Sequence, residues 1–247
     1  MKISLITICY NEETLMPFFL RHYKNIVDEI FIFDNCSTDR SVEIASQCPK
    51  VRIKKFDTGG LLRDDLHLQF KNTFYKTLDA DWIIAIDLDE FVYHKDLRGL
   101  LVDYMNKGVT FPKIIGYNMI GTAIPKDDGI TPITDIINMG VRTDNCDHVL
   151  GPSFIGDYSK RAIFRKYIDI NYKPGCHECL PKGQIVESSS AEILLLHYKW
   201  LSREYGVKLY GSWKLSPENL KAGWGTVHIN TKLAYYDNAL KSRTRVI

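Results

Sequence analysis

The stretch Trp82-Ile83-Ile84-Ala85-Ile86-Asp87-Leu88-Asp89-Glu90-Phe91 decides how this chain is read. Trp82 to Ile86 is a continuous apolar run of strand length, as expected where helices cover both faces of a parallel sheet. The run emerges directly into Asp87, Asp89 and Glu90. Clustered carboxylates repel and raise one another's pKa unless a cation sits among them. Hard divalent ions such as Mg²⁺ or Mn²⁺ take oxygen ligands and are usually completed by substrate phosphates, so the cluster suits a metal–diphosphate. A solvated acidic strand end is the alternative that an isolated Asp-x-Asp leaves open.

Towards the N-terminus the pattern alternates between strand and helix. Ile3 to Cys9 is a β-branched-rich strand, and Asn11 is expected to cap the following helix, with Glu12 and Glu13 at its positive end. Leu15, Phe18, Phe19 and Ile26 mark that helix's buried face. Glu29 to Phe33 reads as a second strand, Ser41 to Gln47 as a short helix and Val51 to Phe56 as a third strand. After Gly59-Gly60, the residues Leu62, Leu66, Phe70, Phe74 and Leu78 predict the buried stripe of a second long helix. This alternation predicts an α/β fold, a doubly wound, mostly parallel twisted sheet flanked by helices, with ligands beyond the carboxyl ends of its strands. Asp34 and Asp87 both fall at such ends.

Beyond Phe91 the pattern loosens. Lys126 to Asn145, rich in Asp, Gly, Pro and Thr, reads as an exposed excursion. Arg161 to Lys166 and Glu192 to Tyr198 suggest further strands, and Pro217 onward suggests terminal helices with Trp213, Trp224, Tyr235 and Tyr236 packing. With no repeat, low-complexity tract or linker, a single compact domain is expected. Residues 1–95 would form one half, 96–200 a second, and 201–247 the C-terminal helices.

Composition narrows the classes. At 45% apolar and 25% charged residues over 247 positions, the chain can bury a core and is not intrinsically disordered. A net charge of +2 gives no global electrostatic case for nucleic acid. No apolar stretch approaches the ~18 residues of a membrane span. Asn11-Glu12-Glu13 stands where a signal peptide would carry a small-residue cleavage site. Six scattered cysteines favour reduced thiols and a cytoplasmic location. The stretch Lys199, Trp200, Arg203, Lys208, Tyr210, Trp213, Lys214 is either an amphipathic helix face or a peripheral contact with an anionic membrane or polymeric acceptor.

Three motifs occur in order: Ile-Thr-Ile-Cys-Tyr-Asn-Glu-Glu from Ile6, Phe-Asp-Asn-Cys-Ser-Thr-Asp from Phe33, and Ile-Asp-Leu-Asp-Glu-Phe from Ile86. Together they resemble family 2-like glycosyltransferases of the GT-A fold, closest to a branch with Asp-x-Asp-Glu-Phe and a late His-Tyr pair. The resemblance covers Lys2 to about Tyr93 and resumes at Leu194 to Lys199, leaving Asp96 to Ser190 unmatched. It implies transfer of a sugar from a nucleotide sugar, expected to be UDP-linked, to a glycan or other hydroxyl acceptor, with inversion and with Mn²⁺ or Mg²⁺. Thr7, Cys9, Tyr10 and Glu12 would line the base pocket, and Asp34 would hold the base or ribose, an Asx turn being its other reading. Cys36 stands where this family's turn usually carries a small residue. Asp87 would contact ribose or metal with Leu88 beside it, Asp89 would be the principal metal ligand, and His197 would complete the metal site. Arg63 is placed either to reach the diphosphate or to pair with Asp64 or Asp65.

An inverting transfer needs a base for the acceptor hydroxyl. Glu178, His177 and Asp157 are the candidates, although the family's commoner Glu-Asp pair is missing. Cys176 and Cys179 have no second knuckle with which to build a structural zinc site. Two other classes stand beside the transferase. A haloacid-dehalogenase-type phosphatase would need Thr or Val where Phe91 stands, and a catalytically silent nucleotide- or sugar-binding module would keep the fold without the chemistry.

Overall fold

The computed structural model describes residues 1–143, 160–212, 214–225 and 229–247, with the side chains of 229–232 left aside. In chain order the strands are β1 (Ile3–Cys9), β2 (Glu29–Asp34), β3 (Val51–Lys55), β4 (Trp82–Ala85), β5 (Glu90–Tyr93), β6 (Ile114–Ile120), β7 (Met139–Arg142), β8 (Ile163–Arg165), β9 (Ile193–Trp200) and β10 (Thr244–Arg245). The first sheet runs β3-β2-β1-β4-β8. Its first four strands are parallel, and β8 closes the edge antiparallel to β4. Helices Met16–Tyr23 (α1) and Asp64–Thr73 pack against it, as the GT-A type α/β reading expected. Because β1 lies between β2 and β4, the chain reverses its winding direction at β1/β4, and crevices for ligands open at such a reversal.

The second sheet runs β10-β7-β6-β9-β5 and is mixed: β9 is parallel to β6 and antiparallel to β5. Here the structure adds order that the sequence pattern did not show. Helix Leu97–Asn106 is capped by Asp96, whose carboxylate accepts from Gly99 N at 2.9 Å. Part of the expected excursion from Lys126 is structural: Ile133 and Ile137 are buried, and β7 belongs to the sheet. Tyr235 and Tyr236 pack against Trp200 as expected, while Trp213 lies outside the described residues.

Two local readings are corrected. Asn11 caps no helix: its backbone sits at φ 57°, and α1 starts only at Met16. Its side chain instead accepts from Thr38 N at 2.7 Å and so joins the loops that follow β1 and β2. The apolar stripe of helix Asp64–Thr73 is only half-buried, although Phe70 stacks on Phe33 at 4.4 Å. The fully buried side chain in that helix is Lys71.

No described helix is long and apolar enough to cross a membrane.

Candidate active site

A cleft of about 740 Å³ opens at the carboxyl ends of β1 and β4, within the usual size of a small-molecule site. Tyr10 and Glu12 line it after β1, and Asp87, Leu88 and Asp89 after β4. Gly60, in the left-handed region at φ 75°, lies so close to the Tyr10 hydroxyl that a Cβ would come within 2.6 Å of it. The opposite wall carries Tyr210, Lys214 and Trp224. That wall is fastened to the loop before helix Asp64–Thr73. Leu62 N donates to Lys214 O at 2.7 Å, and the buried Asn219 amide takes Asp64 N at 3.0 Å and donates to Asp64 Oδ2 at 2.8 Å.

Asp87 and Asp89, two residues apart, sit in different surroundings. Asp87 is held by two buried lysines: Lys71 Nζ is 2.5 Å from Oδ1 and Lys160 Nζ 2.7 Å from Oδ2. Lys160 also lies 2.5 Å from Oε1 of Glu90, which is wholly buried and whose Oε2 accepts from Asp87 N at 2.8 Å. Both ammonium groups are 2% exposed, so neither is free to meet solvent, whereas the Asp87 side chain stays 44% exposed to the cleft. Burial would raise the Asp87 carboxyl, but Lys160 and Lys71 outweigh it and hold it well below the usual carboxylate range. Burial likewise disfavours charge on the lysines, yet the carboxylates keep both pKa values above the ordinary lysine value.

Asp89 faces an imidazole. His197 pairs across β5 with Glu90 and across β6 with Asn118, and this register brings its Nε2 to 3.3 Å from Asp89 Oδ2. Asn118 Nδ2 donates to the Tyr235 hydroxyl at 2.7 Å, so its Oδ1 accepts from His197 Nδ1 at 2.8 Å. With Nδ1 committed to Asn118, Nε2 is the ring nitrogen that faces the Asp89 carboxylate. An oxygen and a nitrogen so placed can share a proton, or can both ligate one divalent cation. Lys199 Nζ lies 3.9 Å from the same carboxylate and over the Tyr210 ring. Burial raises Asp89, yet His197 and Lys199 bring its pKa down to about 2. Among the described residues, no three His, Cys, Asp or Glu side chains are placed to hold an ion together. Substrate oxygens and water would have to complete the shell.

The other expected site residues divide between the cleft and the scaffold. Glu12 lines the cleft, and burial, followed by Asp89, pushes its carboxyl well above the usual range. Thr7 and Cys9 lie within the protein, Thr7 fully buried and Cys9 packed in the core with Ser37 at 3.7 Å. Asp34 closes a turn, both its oxygens facing Ser37 N at 3.2 and 3.3 Å. Arg63 forks onto Asp65 at 2.8 and 2.6 Å and nears Glu218 at 3.6 Å, the pairing alternative rather than a reach into the cleft. His177 lines the cleft, whereas Glu178 is 73% exposed and paired with Lys173 at 2.9 Å. Asp157 lies outside the described residues. His177 and His67, another lining residue, are held neutral. Burial and then Lys160 push His177 down to about 2, and burial and then Lys71 push His67 down to about 4.

Sequence reasoning missed Lys71 and Lys160, and met Lys199 only within a basic, aromatic stretch and Trp224 only as a packing residue. Lys71 left a signal: it stands one turn before Phe74 at the edge of the helix's apolar stripe, where a buried charge requires a partner.

Residues 4–172 match glycosyl transferase family 2. The chain belongs to that family, and so to the glycosyltransferase class of enzymes. An uncharacterized glycosyltransferase of Rickettsia felis is 36% identical over 91 residues. The match covers 36% of this chain and 29% of that protein, so the chain spans less than a third of the relative's length. Among solved structures, S. aureus TarS 1-349 in complex with UDP is 14% identical over 96% of this chain and 71% of that one, with a TM-score of 0.49. Glucosyl-3-phosphoglycerate synthase from Mycobacterium tuberculosis, in complex with Mn²⁺ and UDP-glucose, is 20% identical over 47% of this chain and 43% of that one, with a TM-score of 0.35.

Proposed function

We propose that the cleft binds a UDP-sugar and transfers its sugar, with inversion, to a hydroxyl of a saccharide or similar acceptor. The observation that carries this reading is the Asp89–His197 pair at the winding reversal of a family 2 chain, an oxygen and a nitrogen 3.3 Å apart at the edge of a nucleotide-sized cleft. Residues 1–95 supply the donor side. Tyr10 and Glu12 flank the nucleoside, and Glu12, held towards its protonated form, donates a hydrogen bond to it. Asp87, ionised and open to the cleft, accepts from a donor hydroxyl. Asp89 and His197 would hold a divalent cation. Held by these two residues, a divalent cation would supply positive charge against the departing diphosphate. Lys199 adds a fixed positive charge beside it.

Residues 96–200 supply the acceptor side. Of the two expected bases that the structure describes, His177 lines the cleft and Glu178 does not. Held neutral, the imidazole accepts the hydrogen bond of the attacking hydroxyl and orients it. The chain is read as a cytoplasmic enzyme.

Thermal-shift screening of UDP-sugars with and without Mn²⁺ tests the reading, because a ligand of the folded state raises the melting temperature with its occupancy. Stabilisation by UDP and its sugar conjugates, together with Mn²⁺-dependent release of UDP that is lost in Asp89→Ala, is expected. Equal turnover by Asp89→Ala, or no response to any nucleotide sugar, would remove it.

A further inference from the structure

We infer that Lys71 and Lys160 are positioning residues that withhold Asp87 from the cation, so that Asp87 is reserved for a donor hydroxyl and the ion rests on Asp89 and His197. The inference rests on the proposed donor reading but stands on separate geometry. Each Asp87 oxygen already has an ammonium within 2.7 Å, and the two cations reach it from different elements. Lys71 comes from helix Asp64–Thr73 and Lys160 from the segment leading into β8. Lys160 further bridges to Glu90, which ties the Asp87 backbone N–H in turn. The four groups carry two positive and two negative charges, a closed set that needs no further counter-ion.

A divalent ion drawn to Asp87 would meet two ammonium groups within 2.7 Å of its ligand oxygens, and like charges that close repel, the more so because the ammonium groups are shielded from water. Around Asp89 the compensation is looser: Lys199 stands at 3.9 Å, and the His197 imidazole at 3.3 Å is itself a nitrogen that an ion can share with the carboxylate. A hydroxyl, by contrast, donates to the remaining lone pairs of Asp87 without displacing a lysine. The exposure of the Asp87 side chain alongside two sealed lysines is the arrangement such a role requires.

The experiment titrates Mn²⁺ alone, without nucleotide, by electron paramagnetic resonance of the free ion. The wild type is compared with Asp89→Asn and with two charge-balanced doubles that leave no uncompensated buried charge. Lys71→Met/Asp87→Asn removes the Asp87 charge and keeps Lys160 on Glu90. Its Mn²⁺ affinity should equal that of the wild type, while Asp89→Asn should lose about tenfold or more. Lys160→Met/Glu90→Gln frees one Asp87 oxygen and should bind Mn²⁺ more tightly, a gain erased by adding Asp87→Asn. Donor binding is read separately: Lys71→Met/Asp87→Asn should weaken UDP-sugar binding while sparing the ion.

Equal losses of Mn²⁺ affinity in Lys71→Met/Asp87→Asn and in Asp89→Asn would overturn the assignment, as would a wild type that binds no Mn²⁺. If Mn²⁺ behaves as expected but no nucleotide sugar binds the wild type, the donor reading falls and the division between the carboxylates stands.

Discussion

The surroundings of Asp87 and Asp89 show how two like side chains on one short turn acquire different chemistry. Around Asp87 the protein supplies complete compensation from within, two lysines and a second carboxylate, all three nearly or wholly sealed from solvent. Around Asp89 it leaves the compensation partial: an imidazole at 3.3 Å and a more distant lysine. The first arrangement fixes a charge, and the second leaves one to be shared. Proximity in sequence therefore says little about division of labour, which is set by Lys71 from the preceding helix and by Lys160 and His197, about 70 and 110 residues further on.

The comparison can be broken most forcefully at Lys160. Lys160→Met strands a fully buried Glu90, and removing one partner of such a pair costs about 3–5 kcal/mol. Chemical denaturation should show that loss, with Glu90→Gln in the same chain restoring most of it. On the other side, Asp89→Ala should lower UDP-sugar turnover by about 10²–10³-fold in steady-state assays. The scaffold behind both is probed by Tyr23, whose hydroxyl donates to Glu90 O at 3.0 Å and accepts from Val92 N at 2.7 Å. Tyr23→Phe leaves that N–H buried without its partner and should cost about 1–3 kcal/mol of unfolding free energy.

A separate effect is one of pH. His177 and His67 are depressed to about 2 and about 4, so the folded state stays unprotonated where the unfolded chain, near 6.5, takes up protons. Stability is full above 6.5 and falls as pH drops towards 4, by up to about 1.4 kcal/mol per pH unit for each histidine. Melting temperatures across that range should decline less steeply in His177→Asn.

The parallel half of the fold was legible because its central strands carry unbroken apolar runs, such as Trp82 to Ala85, that can only be buried. The second sheet was not. Helix Leu97–Asn106 exposes Val102 while burying Leu101, and β6 interrupts its apolar residues with Gly116 and Asn118, so neither period stands out. Asp87 and Asp89 were legible as a pair, but their roles were not, because Lys160 precedes a three-residue strand and has no periodicity of its own. Asp34 shows the opposite failure: a carboxylate at a strand end, in the place expected of a ligand contact, serves the turn that follows.

The pairing of β9 carries one more consequence. Side chains alternate along a strand, so a slip of one position against β5 would turn Leu196 or Tyr198 to the place of His197 and send the imidazole to the other face. A chain released before residue 193 would already hold Lys71, Lys160 and the carboxylates, yet it would lack the imidazole that faces Asp89. Uptake of Mn²⁺ during refolding would thus report the seating of the late strand, a clock for the last step of assembly.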